Sequence, residues 1–314
     1  MSPDLTFGPS DQPWHYSQSS NTYDLSGGSP KKLTIAATEG PEGTSFTISP
    51  ESTALVIVDM QNFFLDTKCM HHPNGLKAVE PTIKLIAKCR EAGIQVRHKI
   101  LNQPEFPADI YAKQIAWLNW GLTDQDMAQM PAGVNRGFMK DVIQSTTSSA
   151  LRYRPYTGLG TDLGDSKGRC LFAGSWNADI FPPLKAEVQP SDLHCAKNRM
   201  SGLWTPEQPL WKTLKEQKKT TVLFAGVNTD QCVLGTFVDG YNAGWNCILV
   251  DDCCGTTTAG AKEVTLLNVA VSIRTNLKGP NKLTGQCSHV TGLSLTAHVW
   301  RPPRWDESQH ELGR

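Results

Sequence analysis

TTVLFAGVNTDQCVLGTFVDGYNAGWNCILVDD, residues 220–252, is the stretch that decides the fold. Thr221–Ala225 is short, continuously apolar and rich in branched residues, which is how a strand buried on both faces reads. Thr229 or Asp230 can cap a following helix, whose apolar positions Val233, Phe237, Val238 and Tyr241 recur at three- and four-residue spacing. Gly244 can end that helix in the left-handed conformation, and Cys247–Val250 supplies the next strand. Strand, helix and strand in this order make one parallel crossover. Cys232 then falls in the first turn of the helix, at the carboxyl end of a parallel strand, where open α/β sheets bind ligands. The unpaired N–H groups and dipole of a helix start favour a thiolate and a developing oxyanion.

The same alternation extends upstream. Ala54–Asp59 (ALVIVD) is an apolar strand ending in an acid, and Lys77–Ala92 is a helix with Val79, Ile83, Ile86 and Ala87 on one face. Gly93 stops it, and Ile94–Ile100 reads as the second strand. Residues 101–168 break the rhythm with a tryptophan-rich helix candidate, Ile110–Trp120, an acidic turn and a glycine-rich loop. An excursion of that length reads as a lid or an oligomer contact. Its glycines do not form a dinucleotide fingerprint, because no helix opens on them. Cys170–Gly174 and Asp192–Lys197 read as the third and fourth strands, Pro209–Lys218 as a helix. Ala261–Arg274 is the last helix, with Val264, Leu267 and Val271 on one side. The fold class is α/β: a doubly wound, mostly parallel sheet with helices on both faces, a three-layer sandwich. Residues 1–50, rich in Ser, Pro, Gly and Thr, read as an arm that wraps or frays, 51–280 as the domain carrying the 101–168 excursion, and 281–314 as a tail.

Composition narrows the function. Lys+Arg and Asp+Glu balance at 30 each, which argues against nucleic acid and anionic membrane surfaces as partners. No apolar stretch is long enough to span a bilayer, and the first residues lack a basic start followed by an apolar run. The cysteine count of nine is odd, with no Cys-x-x-Cys motif. Reduced thiols in the cytoplasm are the expectation.

Asp59, Lys197 and Cys232 stand at strand ends or at the helix start that follows, and a parallel sheet brings such ends to one edge. An acid, a base and a thiol are what cysteine-based amide hydrolysis needs. Three segments, ALVIVDMQNFF (54–64), AKNRMSGLW (196–204) and AGVNTDQCVLGT (225–236), with VDD (250–252) after them, closely resemble the isochorismatase-like hydrolase superfamily, the cysteine hydrolases. The resemblance covers roughly residues 50–275. It implies Cys232 as nucleophile, Asp59 as the base that takes the thiol proton, and Lys197 as the group that holds the pair and stabilises negative charge. It also implies a cis peptide at Val227–Asn228, with the Asn228 and Cys232 amides forming an oxyanion hole. The implied partner is a small amide, carbamoyl or ureido compound, the implied assembly a dimer or tetramer, and no cofactor is called for.

The nicotinamidases of this superfamily hold a metal through an Asp-x-His and a nearby His just after the second strand. That place, read here as HKILNQPEF (98–106), has no such pair, so no metal is expected and the resemblance is to the metal-free branch typified by N-carbamoylsarcosine amidase. His71, His72 and His98 read as surface or satisfied core residues. Phe64, Trp204, Gln61 and Trp176 are the candidate substrate contacts, Trp117 and Trp120 further lid candidates, and Arg199 could hold a carboxylate. Cys232, beside Lys197 and at a helix start, is expected to titrate below the free-thiol value of ~8.5. Two rival readings stand: a vinyl-ether hydrolase that uses Asp59 without the cysteine, and a non-catalytic binding protein on the same fold.

Overall fold

The computed structural model describes residues 4–7, 13–37, 43–94, 115–129, 158–271 and 297–299 of the chain. Five short strands come first: β1 (Leu5–Phe7), β2 (Trp14–Ser17), β3 (Thr22–Asp24), β4 (Leu33–Ala36) and β5 (Ser45–Ile48). They form a sheet of their own in the order β1-β2-β3-β5-β4, where an irregular arm was expected. Its inner face is aromatic: Tyr16 stacks on Tyr23 with ring centres 4.4 Å apart, and Tyr23 meets Phe46 at 5.7 Å. Strands of three or four residues with polar neighbours carry too little periodicity to be recognised one at a time.

The larger sheet holds β6 (Thr53–Val58), β7 (Ile115–Trp120), β8 (Leu193–Lys197), β9 (Thr221–Val227), β10 (Asn246–Gly255) and β11 (Ala297–Val299). Their order is β11-β10-β9-β6-β7-β8. All neighbours are parallel except β11, which runs antiparallel to β10 at the edge. Every residue of β6 and β9 is buried, as their unbroken apolar runs require of strands covered on both sides. Among the described residues the α-helices are α1 (Asn62–Leu65), α2 (Pro73–Glu91), α3 (Asp124–Gln129), α4 (Pro182–Lys185), α5 (Pro209–Glu216), α6 (Leu234–Asn242) and α7 (Ala261–Val271).

Two cores follow from the period of two along the strands. Leu55 and Ile57 of β6, Trp117 of β7 and Leu223 and Ala225 of β9 pack with Leu85 and Ile86 of α2 and with the aromatic face of the first sheet. Val56 and Val58, Leu118, Val222 and Phe224 pack on the opposite face with Leu210 and Leu214 of α5 and Phe237 of α6. No helix of the described residues is long and apolar enough to cross a membrane.

Three readings are corrected, and a fourth lies almost wholly outside the described residues. The expected helix at Ile110–Trp120 is, in its described part, strand β7, lying between β6 and β8. IAWLNW is a short apolar run, and periodicity alone cannot assign such a run to strand or helix. The strand expected at Ile94–Ile100 lies, beyond Ile94, outside the described residues. Cys170–Gly174 is a chain of turns touching Leu122 through one isolated bridge at Phe172, because Leu171 and Gly174 take positive φ values of 54° and 78° that no strand accommodates. The last helix exists, but Thr265 and Val269 face inward while Val264 and Leu267 are exposed.

Candidate active site

The sheet order reverses between β6 and β9, since the chain winds outward from β6 through β7 to β8 and then returns beside β6 as β9. Crevices at such a switch point, outside the carboxyl ends of the strands, are where α/β sheets hold ligands. Asp59 leaves β6 at this point with φ +52°, a left-handed conformation uncommon for a residue with a side chain. Its N–H donates to the Leu118 carbonyl at 2.8 Å, and its Oδ1 accepts from the Trp120 N–H at 3.2 Å. These two bonds aim the carboxylate across the edge of the sheet.

Lys197 is the last residue of β8, in register with Trp120 of β7. Its Nζ reaches past β7 to within 3.0 Å of Asp59 Oδ2 and 3.5 Å of Cys232 Sγ. It also donates to the Arg199 carbonyl at 3.1 Å and lies 3.7 Å from the centre of the Trp120 ring. Cys232 sits in a π-helical turn, Thr229–Val233, between β9 and α6. Neither candidate cap works as expected there: Thr229 Oγ1 is buried without a partner, and the Asp230 carboxylate accepts the Thr256 hydroxyl. Asn228 opens the turn instead, its carbonyl accepting from the N–H groups of Gln231 and Val233. The Val227–Asn228 peptide is cis.

Close strand contact makes this assembly possible. A Cβ on Gly226, which has φ +125°, would lie 2.0 Å from the Val58 carbonyl oxygen, so β6 and β9 approach here as no other residue would allow. Asp59 follows Val58 directly, and Asn228 is two residues past Gly226.

Asp59 and the Lys197 side chain are fully buried and Cys232 nearly so, which sets the electrostatics. Burial raises the Asp59 carboxyl above its ordinary value, while the Lys197 ammonium pulls it back. The Cys232 thiol is pushed up to about 12, by burial first and by the Asp59 charge second, with Lys197 opposing. The raised thiol acidity expected from the sequence is therefore not what the buried site gives. A single ammonium is shared between two potential anions in a dry site, so the resting proton stays on sulfur.

Comparison with family models matches an isochorismatase domain over residues 53–275. This chain belongs to the isochorismatase family. Among curated relatives, the ureidoacrylate amidohydrolase RutB of Acinetobacter baylyi is 25% identical over 219 residues, spanning 68% of this chain and 74% of the relative. The enzyme of the same name from Pantoea ananatis is 27% identical over 218 residues, covering 68% and 72%. Solved structures with a similar fold include an isochorismatase family protein from Desulfovibrio vulgaris, at 18% identity and TM-score 0.49, covering 70% of this chain and 90% of that one. N-carbamoylsarcosine amidase from Thermoplasma acidophilum matches at 18% and 0.43, covering 68% and 89%.

Within this isochorismatase-family site the substrate-contact candidates divide. Gln61 is fully buried and committed to backbone: its Nε2 donates to the carbonyls of Trp120 (2.8 Å) and Ala178 (2.6 Å), and its Oε1 accepts from the Trp120 N–H. It is a brace between the ends of β6 and β7, without a donor left for a ligand. Phe64 is buried in the core, edge-on to Phe63 at 5.0 Å. Trp117 is also core, its Nε1 donating to Asp192 at 3.0 Å. Trp176 is half-buried, with its carbonyl bonded to Asn62 and Lys68 over its ring. Trp204 is 46% exposed at the rim, its Nε1 donating to Asn198, with the Arg199 guanidinium 5.4 Å from its ring. Trp120 is the aromatic residue that touches the cluster, and its side chain also favours the Cys232 thiolate.

The metal comparison moves with the strands. Residues 98–106 lie outside the described residues, among which the strand that follows α2 in this sheet is β7, so its end is the place to inspect. Asn119, Trp120, Gly121 and Leu122 stand there, none of them a carboxylate or imidazole. Among the described residues no three His, Cys, Asp or Glu side chains gather as a metal site would require. Each of the eight described cysteines is free.

Proposed function

We propose that this isochorismatase-family protein is a cysteine-dependent amidohydrolase that cleaves a non-peptide C–N bond, in an amide, carbamoyl or ureido group, through a thioester. The observation that supports it most is the Lys197 ammonium set between Asp59 and Cys232 at 3.0 and 3.5 Å, all three shielded from water. The names of the curated relatives favour an amide-type bond.

In this mechanism Cys232 Sγ attacks the carbonyl carbon as its proton passes to Asp59. The raised carboxyl of Asp59 suits a group that must gain a proton and release it again. The oxyanion rests against the amides of Asn228 and Cys232, where losing one donor costs about 3–4 kcal/mol in comparable sites. Asp59 then delivers the proton to the departing nitrogen, the C–N bond breaks and a thioester remains. Water, deprotonated by Asp59, attacks that thioester; the C–S bond breaks and the sulfur recovers the proton. The Lys197 charge stays beside whichever of the two groups is anionic at each step.

Ammonia release from primary amides, N-carbamoyl amino acids and ureido acids tests this with wild type and Cys232→Ala. Turnover of at least one compound, lost in the variant, is the expected result. Turnover retained without the sulfur would assign the chemistry to Asp59 alone, and wild-type silence across the panel would favour a binding protein. Self-association is a separate proposal, read by light scattering on the full chain.

A further inference from the structure

His72 is fully buried, and both of its ring nitrogens are engaged. Nδ1 lies 2.8 Å from the Gly75 N–H, which can only donate, so Nδ1 accepts and caps the start of α2. The neutral ring then carries its proton on Nε2, which donates to Asn228 Oδ1 at 2.6 Å. Burial holds His72 below the ordinary histidine range, consistent with that neutral form.

This contact belongs to a closed polar ring. Asn74, in the same first turn of α2, donates from Nδ2 to the Thr256 carbonyl at 3.1 Å, just past β10. The Thr256 hydroxyl donates to Asp230 Oδ1 at 2.5 Å, inside the turn that carries Cys232. Asn228 opens that turn, so the ring returns to His72. The packing leaves no slack: a Cβ on Gly75 would lie 2.8 Å from His72 Nδ1, and one on Gly255 would lie 2.6 Å from the Asn74 carbonyl oxygen.

We propose that His72 is a positioning residue of the site, which through Asn228 and the ring of Asn74, Thr256 and Asp230 sets the turn that presents Cys232. The inference rests on the amidohydrolase reading, in which the Asn228 and Cys232 amides receive the oxyanion. A turn tied at Asn228 and at Asp230 to two other elements cannot rotate without breaking a buried bond, so the sulfur and both amides keep one arrangement.

Two substitutions separate this role from the cap. His72→Asn places an acceptor where Nδ1 stands, keeping the cap but losing Asn228, whereas His72→Gln reaches Asn228 and gives up the cap. The expected result for His72→Asn is near wild-type melting with kcat lowered about 10- to 100-fold and KM within about twofold, the size of effect that an ångström of misplacement produces. His72→Gln should melt earlier yet keep kcat within a few-fold. The rate of Cys232 alkylation by iodoacetamide, which needs no substrate, should change more than about threefold in His72→Asn and not in His72→Gln, following thiol presentation. Wild-type kcat and alkylation in His72→Asn would overturn the proposal, as would losses in the two variants that merely track their melting temperatures. Wild-type and Cys232→Ala controls keep the reaction class separate: if no compound turns over, the alkylation ratios still decide for or against His72.

Discussion

Replacing Asp59 with Asn should make Cys232 more reactive toward alkylation while abolishing turnover. Both groups contact the same ammonium, at 3.0 and 3.5 Å, so the Asp59 oxygen and the sulfur are separated by at most about 6.5 Å. At an effective dielectric of about 20, repulsion between two unit charges at that distance is at least about 2.6 kcal/mol. Removing it should raise the thiolate population at a fixed pH roughly 70-fold. Asparagine conserves the volume and leaves the thiolate as the one anion beside Lys197, which keeps the Arg199 carbonyl and the Trp120 ring. Hydrolysis should nevertheless fall by about 10²- to 10⁴-fold, because no group is left to move the proton. The assay is iodoacetamide incorporation at pH 8, located by peptide mass, alongside ammonia release and circular dichroism to confirm folding. Alkylation no faster than wild type in a folded Asp59→Asn protein would refute the claim that the aspartate charge keeps the thiol protonated. Undiminished turnover would remove Asp59 from the mechanism.

Gly226→Ala should combine about 1–3 kcal/mol of backbone strain with about 1–3 kcal/mol of overpacking against Val58. Urea titration reads the loss as an earlier midpoint at unchanged slope, and a change below about 0.5 kcal/mol would contradict the close approach of β6 and β9. Folding stability should also fall as the pH drops below about 6.5, the unfolded histidine value, because the folded chain holds His72 neutral to lower pH and so binds fewer protons than the unfolded chain. The nearby Asp230 carboxylate moderates that limb, and His72→Asn should flatten it in urea titrations at pH 5, 6 and 7. An identical pH dependence in both proteins would show that His72 does not contribute.

Much of the sheet was legible because buried parallel strands announce themselves. ALVIVD and TTVLFAGV are too apolar for a one-sided element and shorter than a typical buried helix of about three turns. Strand β7 was not legible, since IAWLNW is compatible with either period and its place depends on partners 60 and 77 residues away in the chain. The sheet of residues 5–48 was hidden for a related reason: strands of three and four residues gain their identity from Tyr16, Tyr23 and Phe46 meeting across the sheet, a contact absent from any local pattern. The inward face of α7 was misjudged because an apolar stripe says which residues could be buried, not which the neighbouring turn covers.

For the site, sequence alone determined the identities that chemistry needs: a thiol after one strand, an acid after another and a lysine ending a third, all delivered to one edge by parallel topology. Tertiary structure decided what those residues are electrically and what holds them. Dehydration around Cys232 reversed the acidity that its neighbours in sequence suggested, because the cost of burying an anion outweighs one shared ammonium and a helix start. Gln61, two residues past the acid and read as a substrate contact, became a brace once β7 lay beside it. Trp120, read first as a lid candidate, came to lie against Lys197, and His72, read as a surface or satisfied core residue, against Asn228, only when the fold brought their strand and helix to the switch point. Charge, burial and distance are properties of three-dimensional neighbourhoods, and a linear sequence does not contain them.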